Sequence, residues 1–331
     1  MKAAVLEDKR KFGVKEVPKP TIEADEVLVK VKYCGICGSD LHIFKEGAAV
    51  GAGHEFCGDV AELGRDVKGW RVGERVAVEP VMSCGECFWC KHGDLGLCEQ
   101  YFVELVQYQG AYATYAKAKS RYLHRLPAHL SYEHAAMIEP TTCAIHAIKV
   151  SGMQKGDVVA VLGLGPIGQL VARVAKVSGA RAIYASDISR SRIELAAGVA
   201  NEVMDAQQMN PVERVLELTD GRGPDIVFEC AGTASTTQQS IAMIRKGGTV
   251  VIVAICFEPV ELPISMVNLR GLTIKGSTCF SPGEYAAALK LIQDGRVDVA
   301  PLVTGKMPLE RINEAFEKAC RAEGAKILIE P

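Results

Sequence analysis

Between residues 84 and 98 the sequence reads CGECFWCKHGDLGLC, which places Cys84, Cys87, Cys90 and Cys98 at C-x2-C-x2-C-x7-C spacing. Four thiolates suit tetrahedral zinc, and an all-cysteine site has no open coordination place, so a metal here would be structural. A bacterial iron–sulfur run needs its fourth cysteine after three residues, whereas here it comes after seven. Disulfides are disfavoured by the setting that the chain implies. It carries 12 cysteines, and its opening MKAAVLEDKRKFGVKEV alternates like a strand and has no apolar signal-peptide core. That combination leads us to expect a reducing, cytoplasmic location. Cys34, Cys57, Cys143, Cys230, Cys256, Cys279 and Cys320 are expected in the core.

A second group of residues looks chemical. CGICGSDLH supplies Cys37, Ser39, Asp40 and His42; GHEF supplies His54 and Glu55; IEP supplies Glu139. A catalytic zinc takes three protein ligands and leaves one place open. Cys37, His54 and Glu139 would make a neutral site with Zn(II), with Asp40 or Glu55 orienting the ligands from behind. Taken singly, His54 reads as a structural histidine and Glu139 as a solvated helix carboxylate, so the metal reading rests on the set.

A third constellation is GLGPIG at residues 163–168, a G-x-G-x-x-G that follows the apolar run VVAVL and opens PIGQLVARVAKVSGA. In that context Gly163 serves the tight turn, Gly165 lets the backbone approach a pyrophosphate, and Gly168 lets helix and strand pack closely. Pro166 suits the first helical turn, where no N–H is needed. Asp187 ends the next strand, 19 residues after Gly168, where a carboxylate takes the ribose hydroxyls. It would repel a 2′-phosphate and so favour NAD over NADP, a preference that Arg190 and Arg192 would soften.

The elements that must carry these residues are legible in outline. With 331 residues the chain suggests two domains, and 48% apolar and 24% charged residues describe a globular protein with a large core. Residues 1 to about 147 read as short strands broken by Gly, Pro and Asp, a barrel-like β-rich domain. From 157 strands and helices alternate, as in a doubly wound parallel sheet, with VVAVL, AIYASD, DIVFEC and TVVIVAI as strands. The chain closes with two helices, PGEYAAALKLIQDG and PLERINEAFEKAC, and a strand, AKILIEP. A net charge of −2 gives no basic surface for nucleic acid or an anionic membrane, and no apolar run reaches the length of a span. That balance also disfavours a zinc-ribbon interaction module around the four cysteines.

Together, CGICGSDLH, GHEF, VGERVAVEP, the four-cysteine loop, IEP, GLGPIG and KGGTVVIV resemble the zinc-dependent medium-chain alcohol dehydrogenases over essentially the whole chain. Within that family the strongest likeness is to the polyol (sorbitol) and 2,3-butanediol dehydrogenases, through VAVEP, CKHGDLGLCEQ and GGTVVIVAICFEPVEL. The resemblance implies an α/β protein with a GroES-like catalytic domain over 1–147 and 279–331 and a Rossmann domain over 148–278. It implies catalytic zinc on Cys37 and His54, with Glu55 and Glu139 as neighbouring or exchanging ligands. It makes the four-cysteine zinc structural, Ser39 the first proton acceptor and His42 the outlet to solvent. It puts NAD on Ile167, Asp187 and Arg192, and beside Val253, Ala254, Ile255, Ser277, Thr278 and Cys279. It also implies a homotetramer or homodimer.

The sequence departs from the family pattern in three places. The stretches 43–53 and 99–110 are short, and Ile43, Thr278 and Cys279 stand where sorbitol-type members carry a tyrosine and an Arg–aromatic pair. A pocket with fewer donors favours a small secondary alcohol or vicinal diol over a long polyol. The alternatives are a sorbitol or L-threonine dehydrogenase and, from another class, a silent NAD- and zinc-binding scaffold.

Overall fold

The computed structural model describes residues 1–47, 52–80, 83–100 and 110–331. The chain divides into two compact units, Met1–Glu139 with Phe280–Gly295 and Val299–Pro331, and Pro140–Cys279 with Arg296–Asp298. The change of unit at 139/140 runs inside the helix Ile138–Ser151. Among the described residues, no helix is long and apolar enough to cross a membrane.

The first unit is built on a mixed seven-stranded sheet. Its strands run in the order Val303–Pro308, Lys326–Glu330, Glu26–Gly35, Glu55–Leu63, Arg75–Val78 and Leu123–Arg125, with Tyr115–Lys119 also paired to Glu26–Gly35. A hairpin, Lys2–Asp8 with Lys11–Glu16, forms a second small sheet. The strand Glu26–Gly35 is the organiser. It pairs antiparallel with Glu55–Leu63 in the register Gly35↔Glu55, and with the last strand in the register Leu328↔Gly35. Val27, Val29 and Val31 point into a core that Phe12, Phe44 and Phe316 fill from the hairpin and two helices. Their alternation with Leu28 and Lys30 is the period-two pattern of a strand.

The second unit is a six-stranded, all-parallel sheet. Its order is Glu202–Asp205, Ala182–Asp187, Val158–Leu162, Ile226–Glu229, Thr249–Ile252, Thr273–Gly276. Numbered within the unit this is 3-2-1-4-5-6, the doubly wound arrangement, with its switch point between Val158–Leu162 and Ile226–Glu229. Every residue of Val158–Leu162 is buried, as a parallel strand covered on both faces requires.

The cysteine expectation needs correction. Cys34 and Cys57 are fully buried, but Cys143, Cys230, Cys256, Cys279 and Cys320 are only partly so. Most of these five sit where elements end: Cys230 follows a strand, Cys320 closes a helix, and Cys256 and Cys279 lie in connections. The expectation that 43–53 and 99–110 are short pocket loops falls largely on 48–51 and 101–109, which lie outside the described residues.

Candidate active site and metal centres

The four-cysteine loop is held together by sulfur. The Sγ atoms of Cys84, Cys87, Cys90 and Cys98 all lie within 4.8 Å of one another. Cys84 Sγ and Cys90 Sγ are 3.8 Å apart. Tetrahedral zinc thiolates with bonds of about 2.3 Å have sulfur–sulfur edges of about 3.8 Å. Backbone N–H groups converge on the sulfurs as they would on thiolates: Glu86 and Cys87 donate to Cys84 Sγ, and Cys84 and Gln100 to Cys98 Sγ. Backbone hydrogen bonds from Cys90 and Glu99 bring the Cys87 thiol down to about 6, whereas burial and the neighbouring sulfurs hold Cys90 up at about 12. Four thiols this close cannot all ionise without a cation, and the donor set fits zinc.

The second group follows from strand register. Because Gly35 stands opposite Glu55, Cys37, two residues past the strand end, meets His54 and Glu55 at the start of the neighbouring strand. The ligand atoms of Cys37, His54 and Glu55 lie within 4.8 Å of one another. Cys37 caps the helix Gly38–Glu46, which carries Ser39, Asp40 and His42. The Asp40 carboxylate is 1% exposed and fixes this corner. It accepts the Cys37 N–H (3.1 Å), the Gly53 N–H (3.1 Å) and the Tyr112 hydroxyl (2.7 Å), and lies 3.7 Å from His54 Nδ1. Burial works to lower the proton affinity of His54. The charges of Cys37, Asp40 and Glu139 and a hydrogen bond to Cys37 outweigh it and raise it well above the ordinary range. Without a metal, the group draws in a positive charge, and a thiol, an imidazole and a carboxylate are a donor set that zinc accepts.

Glu139 is buried near the start of its helix, and its charge reaches His54, but its carboxylate is outside the three-residue group. The carboxylate beside Cys37 and His54 is Glu55, since the strand register aligns it with them. His42 is half-buried on the helix, and burial, with Lys45 nearby, lowers its pKa, which keeps the ring neutral near pH 7.

One member of this corner was not visible in the sequence. Lys326, at the start of the last strand, is 1% exposed. Its Nζ donates to Glu55 Oε1 (2.7 Å), Glu55 Oε2 (2.5 Å) and the Ile36 carbonyl (2.9 Å). A Cβ on Gly35 would lie 2.2 Å from Glu55 Oε2, so this glycine opens the space in which the carboxylate lies. Tyr112, which holds Asp40, was missed as well. The one available signal was a lysine at the head of the apolar run KILI.

In the second unit every expected cofactor residue sits at the carboxyl edge of the parallel sheet or just past it. Gly163, Gly165, Pro166, Ile167 and Gly168 follow the first strand, Asp187 ends the second, Val253, Ala254 and Ile255 follow the fifth, and Ser277, Thr278 and Cys279 follow the sixth. Gly163 has φ +90°, and a Cβ there would lie 2.7 Å from Ala231 N. A Cβ on Gly168 would lie 1.8 Å from the Gly163 carbonyl oxygen. Gly165 is different: its φ is −60°, and a Cβ would meet nothing nearer than Arg192 at 3.6 Å. The protein itself does not require a glycine there, so the cradle is open toward a ligand at the helix N-terminus. Asp187 accepts N–H groups from Leu164 (2.6 Å) and Ser189 (2.7 Å), which ties the glycine turn to the second strand. Arg192, near Asp187, is partly buried, and burial lowers its pKa.

Two family models match. Residues 23–128 match the alcohol dehydrogenase GroES-like domain, and residues 166–294 match the zinc-binding dehydrogenase domain. The chain belongs to the zinc-binding dehydrogenase family. This dehydrogenase is 37% identical to a sorbitol dehydrogenase of Halalkalibacterium halodurans, over 97% of its own length and 96% of the relative's. Its structure superposes on that of a 2R,3R-butanediol dehydrogenase from Bacillus subtilis with TM-score 0.89 and 32% identity, covering 100% and 99% of the two chains. It matches a zinc-binding dehydrogenase from Sinorhizobium meliloti bound to NADP with TM-score 0.93 and 32% identity, again over 100% and 99%. It is thus an oxidoreductase of the zinc-dependent medium-chain alcohol and polyol dehydrogenase type.

Proposed function

We propose that this dehydrogenase reversibly oxidises a secondary hydroxyl of a small vicinal diol or polyol, passing a hydride to NAD. The observation that carries the reading is the convergence of Cys37, His54 and Glu55, backed by Asp40, in a chain that also holds an open glycine cradle. When bound, zinc supplies Lewis-acid polarisation of the hydroxyl and the nicotinamide supplies the hydride acceptor. Cys37, His54 and Glu55 hold the metal, with Glu139 as a nearby carboxylate. Asp40 fixes the orientation of His54 and the backbone of Cys37. Ser39 takes the hydroxyl proton and His42, neutral near pH 7, relays it outward. Gly165 receives the pyrophosphate, with Gly163 and Gly168 shaping the turn and Pro166 and Ile167 opening the helix beside it. Asp187 faces the ribose, which supports NAD; Arg192 beside Gly165 is the residue that would admit NADP. The strand ends Val253–Ile255 and Ser277–Cys279 line the nicotinamide side. Cys84, Cys87, Cys90 and Cys98 hold a second, structural zinc.

Two substrate classes have support. The few donors at Ile43, Thr278 and Cys279 favour a small diol, and the likeness to a sorbitol dehydrogenase favours a longer polyol. NADH formation measured with the butane-2,3-diol stereoisomers, sorbitol, xylitol, threonine and propan-2-ol decides between them. Turnover of threonine alone, or of none of these by a chain carrying one zinc, refutes the proposal.

The protein is also proposed to self-associate. The strand Thr273–Gly276 is an exposed sheet edge that carries Ile274 (38% exposed), and the helix Ile264–Leu269 just before it exposes Ile264 (69%) and Leu269 (82%). An open apolar edge is the surface that a two-fold partner covers.

A further inference from the structure

A doubly wound sheet takes its ligand in the crevice at the switch point, beyond the carboxyl ends of the two strands that flank it. Here those strands are Val158–Leu162 and Ile226–Glu229. One wall of the crevice is the glycine turn. The other is the connection over residues 230–233, and Glu229 holds it. Glu229 is 0% exposed, and its Oε1 accepts the Ala231 N–H (2.9 Å), the Gly232 N–H (2.9 Å) and the Thr236 hydroxyl (2.7 Å).

That connection meets both neighbouring loops. A Cβ on Gly163 would lie 2.7 Å from Ala231 N, and a Cβ on Gly232, at φ +71°, would lie 2.9 Å from the Ile255 carbonyl oxygen. Ala231 and Gly232 are thus wedged between the glycine turn and the segment after the fifth strand, so a shift of the wedge reaches both.

Stability does not account for the carboxyl. Among the described residues Oε2 has no partner, and a buried polar atom left unpaired costs the fold free energy. The helix Ala234–Met243 does not need it, because Thr233 already accepts the Thr236 N–H as its cap. What Glu229 adds is an acceptor for two backbone N–H groups ahead of that helix, at the rim of the crevice.

The geometry points to Glu229 as a positioning residue of the cofactor site: its Oε1 fixes Ala231 and Gly232 as the wall facing the glycine turn, and so preorganises the crevice for the dinucleotide. This rests on the reading above that the cofactor occupies that edge. A connection already fixed has little ordering left to lose on binding, which is how preorganisation strengthens affinity.

The test is NADH fluorescence titration of the full chain, with thermal melts alongside. Glu229→Met removes the acceptor and fills its space with an apolar side chain. NADH should then bind about tenfold or more weakly, the scale of one to two neutral hydrogen bonds. Glu229→Gln keeps the Oε1 acceptor and should bind NADH within about threefold of wild type. Thr236→Val removes the donor that holds the carboxyl. It should weaken NADH by about twofold or more in the wild-type background and add nothing in the Glu229→Met background, a coupling in binding that a role in stability alone would not produce. Glu229→Met binding NADH like wild type overturns the inference. So does Glu229→Gln binding as weakly as Glu229→Met, since the acceptor would then not be what matters. Should Glu229→Met lose its cooperative melt, the other two variants carry the test, and Thr236→Val binding NADH like wild type overturns the inference. Gly165→Ala separates the inference from the reading beneath it. With that variant weakened and Glu229→Met not, the inference alone falls; with neither weakened, the cofactor-site reading falls and takes the inference with it.

Discussion

Replacing Gly165 by alanine separates what the fold needs from what the cofactor needs. The backbone there is at φ −60° and ψ −178°, a conformation open to any residue. The new methyl would meet only the Arg192 guanidinium, at 3.6 and 3.9 Å. Two opposing effects act on the fold. Glycine to alanine stabilises by about 0.4–1 kcal/mol through the unfolded chain. Gly165 is also the N-cap of Pro166–Val177, where alanine costs about 0.5–1 kcal/mol. They nearly cancel, so the melting temperature should hardly move.

The cofactor has no such compensation. If the pyrophosphate lies over Gly165, the methyl overpacks that contact at a cost of about 1–3 kcal/mol. At about 1.4 kcal/mol per factor of ten, NADH affinity should fall about 5- to 150-fold. Gly168→Ala is the counterpart. Its Cβ would strike the Gly163 carbonyl oxygen at 1.8 Å, which is backbone and cannot swing aside, so that variant should lose melting temperature. NADH fluorescence titration and thermal melts on both proteins make the comparison. Gly165→Ala binding NADH within about twofold of wild type, with an unchanged melt, would show that the pyrophosphate does not use this cradle. A collapsed melt for that variant would show that the steric reading is wrong.

Other expectations follow from single sites. Cys98→Ser removes a buried sulfur that accepts two N–H groups, so metal analysis should show the loss of one zinc per chain, and limited proteolysis should cut within 84–100. Glu229 is buried at the end of its strand; Oε1 accepts from Ala231, Gly232 and Thr236, and among the described residues Oε2 has no partner. Burial raises its pKa, against those donors. The folded state therefore holds this proton more tightly than the unfolded chain, and the stability so gained is full below the ordinary glutamate range and lost as pH rises through the raised value. Glu229→Gln keeps the Oε1 acceptor and is neutral throughout, so its melting temperature relative to wild type should climb from acid to mildly alkaline pH; a flat difference contradicts the assignment. Leu269→Glu, at an 82% exposed position, should shift light-scattering mass toward the monomer while leaving the melt unchanged. An unaltered mass places the subunit contact elsewhere.

What the sequence disclosed was local. The four cysteines and the glycine turn are each contained in one short stretch, and the turn's strand and helix flank it directly, so spacing alone identified them. The acid at Asp187 was equally readable, since one strand and one helix separate it from the glycines. The carboxylate of the metal corner was open between Glu55 and Glu139, because nothing within IEP or GHEF says which one faces Cys37. That depends on the pairing Gly35↔Glu55, a property of two strands and not of either motif. Lys326 lies further out of reach, 271 residues from its partner Glu55. Lysine is almost never fully buried unless paired, so AKILIEP reads naturally with its lysine in water. Glu55, directly after His54 and 1% exposed, is a buried carboxylate that needs donors or a cation, and Lys326 supplies both. Only the topology, which lays the last strand along Glu26–Gly35, brings that lysine to the carboxylate.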